Sequence, residues 1–229
     1  MTRRLSLLDM LTVATVAVLL AAAVWIAVQG PTTPLPMHFG LDGRPDRWGD
    51  RNELAGLIGF LAVILGLTAG GMGWYAARTE DTARRRGLRI GQLLSLLVIG
   101  ALAPIMTAQI LSVAADPLAA SGPQSLAWPM ALLAIVCLVT GALLGRVPPN
   151  VAVGVRTPWS LKSRLAWDRS NRLFGRLMFW TGLLGLVATP FAPQPLGLWG
   201  VFAAMMIAAV WSVFESWRVW RADPDRQPF

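Results

Sequence analysis

Residues 7–28 read LLDMLTVATVAVLLAAAVWIAV. Asp9 is the one ionisable side chain in this stretch. A helix needs about 20 mostly apolar residues to cross a hydrocarbon core, and this run meets that length. It is also longer than the apolar core of roughly 7–15 residues that marks a cleavable signal. Arg3 and Arg4 precede it. The reading is an uncleaved first span with its N-terminus inside.

The same pattern recurs along the chain. Apolar runs near Leu54–Ala77, Ile90–Ala115, Leu126–Leu144, Leu173–Ala188 and Leu196–Phe214 give about six transmembrane helices in all. The expected fold is all-α, a polytopic membrane helical bundle. Composition agrees: 55% of the 229 residues are hydrophobic and 14% charged, where a soluble domain carries about a quarter charged residues. Pro104 falls inside the third run and is expected to kink it, because proline removes a backbone donor. Gly66 and Gly70 have the four-residue spacing that lets helices approach closely in lipid. Pro190, Pro193 and Pro195 mark a turn between the last two spans. The boundaries divide the chain into an N-terminal module (1–80, with an outer loop 29–53), a linker with span three (81–125), a second module (126–218) and a tail (219–229).

Lysine and arginine set the orientation. The segments before span one, between spans two and three (Arg78, Arg84, Arg85, Arg86, Arg89), between spans four and five (Arg146 to Arg172) and after span six (Arg218, Arg221, Arg226) are basic. They are placed in the cytoplasm, so that both ends are inside. The loops 116–125 and 189–195 carry no Lys or Arg and are placed outside. The first loop, with Arg44, Arg47 and Arg51, is the imperfect fit. Trp25, Trp128 and Trp199 then fall near the outer interface and Trp74, Trp211 and Trp217 near the inner one, while Trp180 reads as a packing residue within span five. The net charge of +8 is explained by this bias and by anionic headgroups; membrane lipids are expected partners and nucleic acid is not. The expected location is a bacterial cytoplasmic membrane, crossed several times. Cys137 is the only cysteine, which excludes an internal disulfide and a cysteine metal cluster.

Two polar segments carry the candidate functional residues. In the outer loop, Pro36, His38, Gly40, Gly43 and Asp46 stand among turn-forming glycines and prolines. His38 is the only histidine and makes a poor metal site by itself, since zinc takes several His or Cys ligands. His38, Asp42 and Asp46 are expected to tie the loop by hydrogen bonds, with Arg44 and Arg47 pairing with the aspartates. The second segment runs from Asn150 to Arg172. Thr157 followed by Pro158 is a helix start. From Pro158 to Arg172, Leu161, Leu165, Trp159 and Trp167 offer an apolar side, and Lys162, Arg164, Arg169 and Arg172 a cationic one. An amphipathic helix on the inner membrane surface is expected there, bending up into span five. Asp168 is spaced to pair with Arg164 and Arg172. No catalytic residue, metal site or cofactor is expected.

Together the two segments resemble the SdpI family of bacterial membrane proteins. The first is similar to a small N-terminal module of unknown function found in many members, here Leu35, Pro36, His38, Gly40, Gly43 and Asp46. The second is similar to the family signature, here Asn150, Gly154, Val155, Arg156, Thr157, Pro158, Trp159, Ser160, Leu161, Ser163, Trp167, Asn171, Arg172 and Gly175. The resemblance covers roughly residues 10–55 and 128–210. It implies a non-enzymatic immunity or signalling protein, which protects against or senses a membrane-active peptide toxin. It also implies two partners, a secreted peptide toxin and a cytoplasmic repressor. Two other classes stand beside it. In a transporter of small solutes or lipids, Gln92, Gln109 and Pro104 would line a path, although the spans carry almost no ionisable residues. In an enzyme on lipid phosphates, Asn150, Arg156 and Lys162 would grip the phosphate, although no nucleophile stands beside them.

Overall fold

The computed structural model describes residues 5–116, 126–145, 147–150 and 153–227. About three quarters of them are helical. Helix α1 spans Leu7–Gln29, α2 Arg51–Arg78, α3 Thr82–Ala115 and α4 Ala127–Leu144. The short α5 is Pro158–Leu161, α6 is Arg164–Ala188 and α7 is Leu196–Ala222. Five of these, α1, α2, α3, α4 and α7, are long and apolar enough to cross a membrane. The expected fifth span, α6, falls outside that group because Arg172 and Arg176 interrupt its apolar stretch.

The starts of the helices follow from their capping residues. At α1 the Ser6 hydroxyl accepts the Asp9 N–H at 3.2 Å while the Asp9 carboxylate accepts the Ser6 N–H at 3.0 Å, a reciprocal cap that satisfies two otherwise orphaned donors. At α2 the Asp50 carboxylate accepts from the N–H groups of Asn52 and Glu53 at 2.8 and 2.9 Å. Both long helices α2 and α3 contain a widened turn, at Gly66–Gly70 and Leu96–Gly100. The second has a visible cause. Pro104 lacks an N–H and its ring crowds the carbonyl four residues back, that of Gly100; the wide turn ends there, and the helix then continues to Ala115.

The chain divides into two compact units. The first comprises Met1–Arg78, Gln92–Ala127 and Pro193–Pro195. Its core joins α1, α2 and the second half of α3 through Leu19, Ile26, Leu54, Ile58, Ala62 and Ile110, all buried. The outer loop is not the run of turns expected. It is an antiparallel hairpin, β1 (Leu35–Phe39) against β2 (Pro45–Gly49), with Leu35 opposite Gly49 and Pro36 opposite Trp48. The strands satisfy each other's backbone groups where no helix could form among so many Gly and Pro. Gly43, at φ +78°, makes the turn, a conformation nearly free of penalty for glycine alone. Leu35, fully buried beside Ile26 and Leu54, anchors the hairpin to the helices.

The second unit comprises Thr79–Gly91, Trp128–Ala192 and Leu196–Phe229. Here α4, α6 and α7 meet around Cys137, Met178 and Ala208. The tightest approach is between α4 and α6. A Cβ at Gly141 would overlap the backbone of Phe179, and one at Gly182 the backbone of Leu138. The close approach that the spacing of Gly66 and Gly70 permits does not occur there: Gly70 has nothing within 4 Å of its Cβ position, and Gly66 only Val16 at 3.9 Å. Trp180, read as a packing residue, is 56% exposed. Like Val13, Leu184 and Val210, it lies on a helix surface that would face lipid.

Candidate functional site

The segment joining α4 to α6 does not lie as one amphipathic helix. It folds into a knot of short hydrogen bonds. Thr157 starts α5: its hydroxyl accepts the Ser160 N–H at 3.0 Å, and the Ser160 hydroxyl accepts the Thr157 N–H at 3.0 Å. That helix stops after four residues, because Ser163 starts a new one. The Ser163 hydroxyl accepts the Ala166 N–H at 2.9 Å and donates to the Asp223 carboxylate. The expected helix from Pro158 to Arg172 is therefore broken at Lys162 and Ser163. Its second half is the start of α6 itself, and the apolar side chain Trp167 is buried in protein rather than in lipid.

Each remaining polar side chain of the knot has a partner. The Trp167 indole N–H donates to the Val147 carbonyl at 3.0 Å. The Asn171 amide accepts the Val155 N–H at 2.8 Å and donates to the Trp167 carbonyl at 2.9 Å. Gly154 passes over both with φ +131°; a Cβ there would lie 2.6 Å from the Asn171 oxygen and 3.0 Å from the Trp167 ring. Asn150 donates to the carbonyls of Pro148 and Val153, each at 2.9 Å, and accepts the Val153 N–H at 2.8 Å, while its side chain packs on Gly87 at the start of α3. The knot is fastened to α7 through Thr157 and the Ser216 hydroxyl at 2.7 Å, and to Asp223, the residue just after α7, through Ser163. The Gln227 N–H adds a bond to the Lys162 carbonyl at 2.8 Å.

The charged residues behave in the opposite way. Arg156, Arg164, Arg169 and Arg172 are exposed and hold no hydrogen bond or ion pair through their guanidinium groups among the described residues. Asp168 does not pair with Arg164 or Arg172 as the spacing suggested, since exposed pairs of long side chains gain little from being held. The segment thus turns its uncharged polar groups inward and these four arginines outward. Pro158 and Trp159 sit at the rim, exposed and half-buried. Arg146, Val151 and Ala152 lie outside the described residues.

The outer-loop residues form a separate arrangement in the first unit. His38 and Asp46 meet across the hairpin at 2.6 Å, both mostly exposed. Asp42 accepts the Arg44 N–H at 3.0 Å within the turn and lies 3.8 Å from its guanidinium. Arg47 pairs with Glu53 at 2.6 Å instead of with an aspartate, because the strand carries it toward the first turn of α2. Gly40 donates to the Arg44 carbonyl at 2.8 Å and Pro36 is buried. These contacts hold the hairpin together.

The sequence reading missed Ser216 and Asp223 and gave the motif residues Ser160 and Ser163 no structural role; all four are buried. A Thr-x-x-Ser cap at Thr157 and a second hydroxyl at Ser163 were signals of two helix starts; the partners at the end of α7, about 60 residues away, left no local trace.

Residues 146–216 match the family model of the SdpI/YfhL protein family. The match begins at the knot, takes in α5 and α6 and ends at Ser216 of α7. It is consistent with an SdpI family protein, as the motif from Asn150 to Gly175 implied. No curated protein and no solved structure matches the chain. Within the SdpI segment, the motif residues Asn150, Gly154, Thr157, Trp167 and Asn171 build the knot, and Arg156 and Arg172 are displayed by it.

Proposed function

We propose that the protein is a non-enzymatic immunity or signalling protein of a bacterial cytoplasmic membrane. In this reading it protects against, or senses, a membrane-active peptide toxin. One observation carries the reading. Inside the SdpI segment the polar motif side chains are consumed by internal bonds, and Arg156, Arg164, Arg169 and Arg172 beside them hold no partner among the described residues through their guanidinium groups. Such an arrangement suits recognition: rigid backbone holds guanidinium groups at fixed positions, where they can meet carboxylates or phosphates in two-pronged geometry. The positive-inside rule puts this face in the cytoplasm, within reach of a cytoplasmic repressor with an acidic surface. The toxin would meet the other side, at the hairpin and the outer ends of the helices.

The test is protection. Expression in a sensitive bacterium is expected to raise tolerance to a membrane-active peptide toxin. Arg156→Ala is expected to abolish that tolerance without lowering the amount of protein in the membrane, since the Arg156 side chain is exposed and bonds to none of the described residues. Arg156→Lys should restore it in part, because an ammonium keeps the charge and loses the fork. If the intact protein protects against none of a broad panel of such peptides, the immunity reading fails.

A further inference from the structure

Beside the α4–α6 contact runs a groove of about 580 Å³, lined by Gly141, Gly145, Arg172, Arg176, Phe179 and Trp180. Its chemistry changes along its length. Arg172 and Arg176 stand one turn apart at one end, and Phe179 and Trp180 form the wall one turn further along α6. Gly141 is pressed against the backbone of Phe179, whereas Gly145, just past the end of α4, leaves room at the floor: a Cβ there would meet Arg172 only at an ordinary contact distance of 3.7 Å. A head that is cationic and a body that is apolar match an anionic amphiphile in the order of its parts.

The depth agrees. The stretch 173–188 carries no charge except at Arg176. At 1.5 Å per residue it gives about 24 Å of helix, less than the roughly 30 Å of a hydrocarbon core. As a crossing helix, α6 would bring one of its ends to the level of the lipid phosphates, and that end carries Arg172 and Arg176. A guanidinium one turn inside an apolar stretch needs an anion or a polar shell. No carboxylate among the described residues supplies one. The Arg176 Nε donates weakly to the Arg172 carbonyl at 3.4 Å, and the other guanidinium nitrogens of the two residues have no acceptor among the described residues.

We propose that this groove is a site for one anionic phospholipid, its phosphodiester held between Arg172 and Arg176 and an acyl chain laid along Phe179 and Trp180. Basic pockets between membrane helices recognise anionic headgroups in this way, and arginine suits the phosphate because two N–H groups can bind two oxygens in parallel. The site does not depend on the immunity reading, and either can fail alone.

The experiment uses the full chain, purified in detergent, delipidated and titrated with phosphatidylglycerol, phosphatidylcholine or inorganic phosphate, with retained lipid counted by native mass spectrometry. The intact protein is expected to retain one phosphatidylglycerol about thirtyfold more tightly than phosphatidylcholine, the combined effect of two cations at the headgroup. Arg172→Gln with Arg176→Gln should remove that preference. Arg164→Gln with Arg169→Gln, which leaves the groove intact, should keep it. Gly145→Phe, which fills the floor without changing charge, should weaken retention of phosphatidylglycerol; it also covers the case in which the double Gln variant fails to fold. Equal loss in both double variants would show that the attraction is diffuse charge and would overturn the site. So would full retention in the Gly145→Phe protein, or displacement of the lipid by millimolar inorganic phosphate, which would assign the arginines to a free anion.

Discussion

The side-chain oxygen of Asn171 accepts the backbone N–H of Val155 at 2.8 Å, sixteen residues upstream. The bond is buried, and it ties the first turns of α6 to the strand of chain leaving α4. The same amide donates to the Trp167 carbonyl, so one side chain joins two backbone segments at the centre of the SdpI segment.

Removing that amide should be costly. Asn171→Leu leaves the Val155 N–H buried without an acceptor, a loss of about 1–3 kcal/mol, and is expected to lower the melting temperature in detergent. Gly154→Ala should be at least as damaging, since it forces an alanine into φ +131° and drives its Cβ against Asn171 and Trp167. In an Asn171→Ala background the cost of Gly154→Ala should shrink, because one of the two obstacles is gone. Strict additivity of the two melting shifts would contradict the packing described.

The fastening of the knot to the end of α7 gives a second expectation. Asp223→Ala removes the acceptor of the Ser163 hydroxyl. Hydrogen–deuterium exchange is expected to rise in two places that are distant in sequence, residues 223–227 and the first turn of α6, while the middle of α7 keeps its protection. A rise confined to the tail would mean that the Ser163 cap does not depend on Asp223.

In the first unit, Gln92 is fully buried and donates to Asp9 at 3.1 Å and Thr12 at 3.0 Å. Gln92→Leu should cost about 0.6 kcal/mol, and at most roughly 1.7, the range of polar contacts between membrane helices. Gly73→Ala should cost more, because its Cβ would lie 2.5 Å from the Asp9 carboxylate and 2.8 Å from the Gln92 amide. Shortening the glutamine relieves one of those contacts, so Gln92→Ala with Gly73→Ala should be milder than the sum of the single changes. A double-mutant cycle on thermal stability measures the coupling.

Orientation is open to direct reading. Reporter fusions after Asp50 and Pro193 are expected to report outside, and fusions after Arg85 and Asp225 inside, from the distribution of arginine. A cytoplasmic signal after Pro193 would remove α6 as a crossing segment, the one helix whose apolar stretch is cut by arginines.

The spans were legible in the sequence because each requirement of a membrane helix is local. Backbone groups in lipid must be satisfied within the same segment, so a run such as 7–28 carries its own secondary structure and its own solvent. The cap at Thr157, read from the sequence, is of the same kind, satisfied within three residues; those at Ser6 and Asp50 are equally local but were not read beforehand. Where the helices touch was decided elsewhere. The spacing of Gly66 and Gly70 permits close approach, yet it is at Gly141, Gly175 and Gly182 that a Cβ would run into the backbone across the α4–α6 contact, because contact needs a matching surface on another helix and spacing describes only one. The stretch from Pro158 to Arg172 shows the same limit. Its alternation of apolar and cationic residues suits a helix lying on lipid equally well. It breaks at Ser163, and buries Trp167 in protein, because Asp223, Ser216 and the Val147 carbonyl are brought to it by the fold. A polar group far along the chain can satisfy a buried donor only after the tertiary structure has placed it, and no local pattern records that it will arrive.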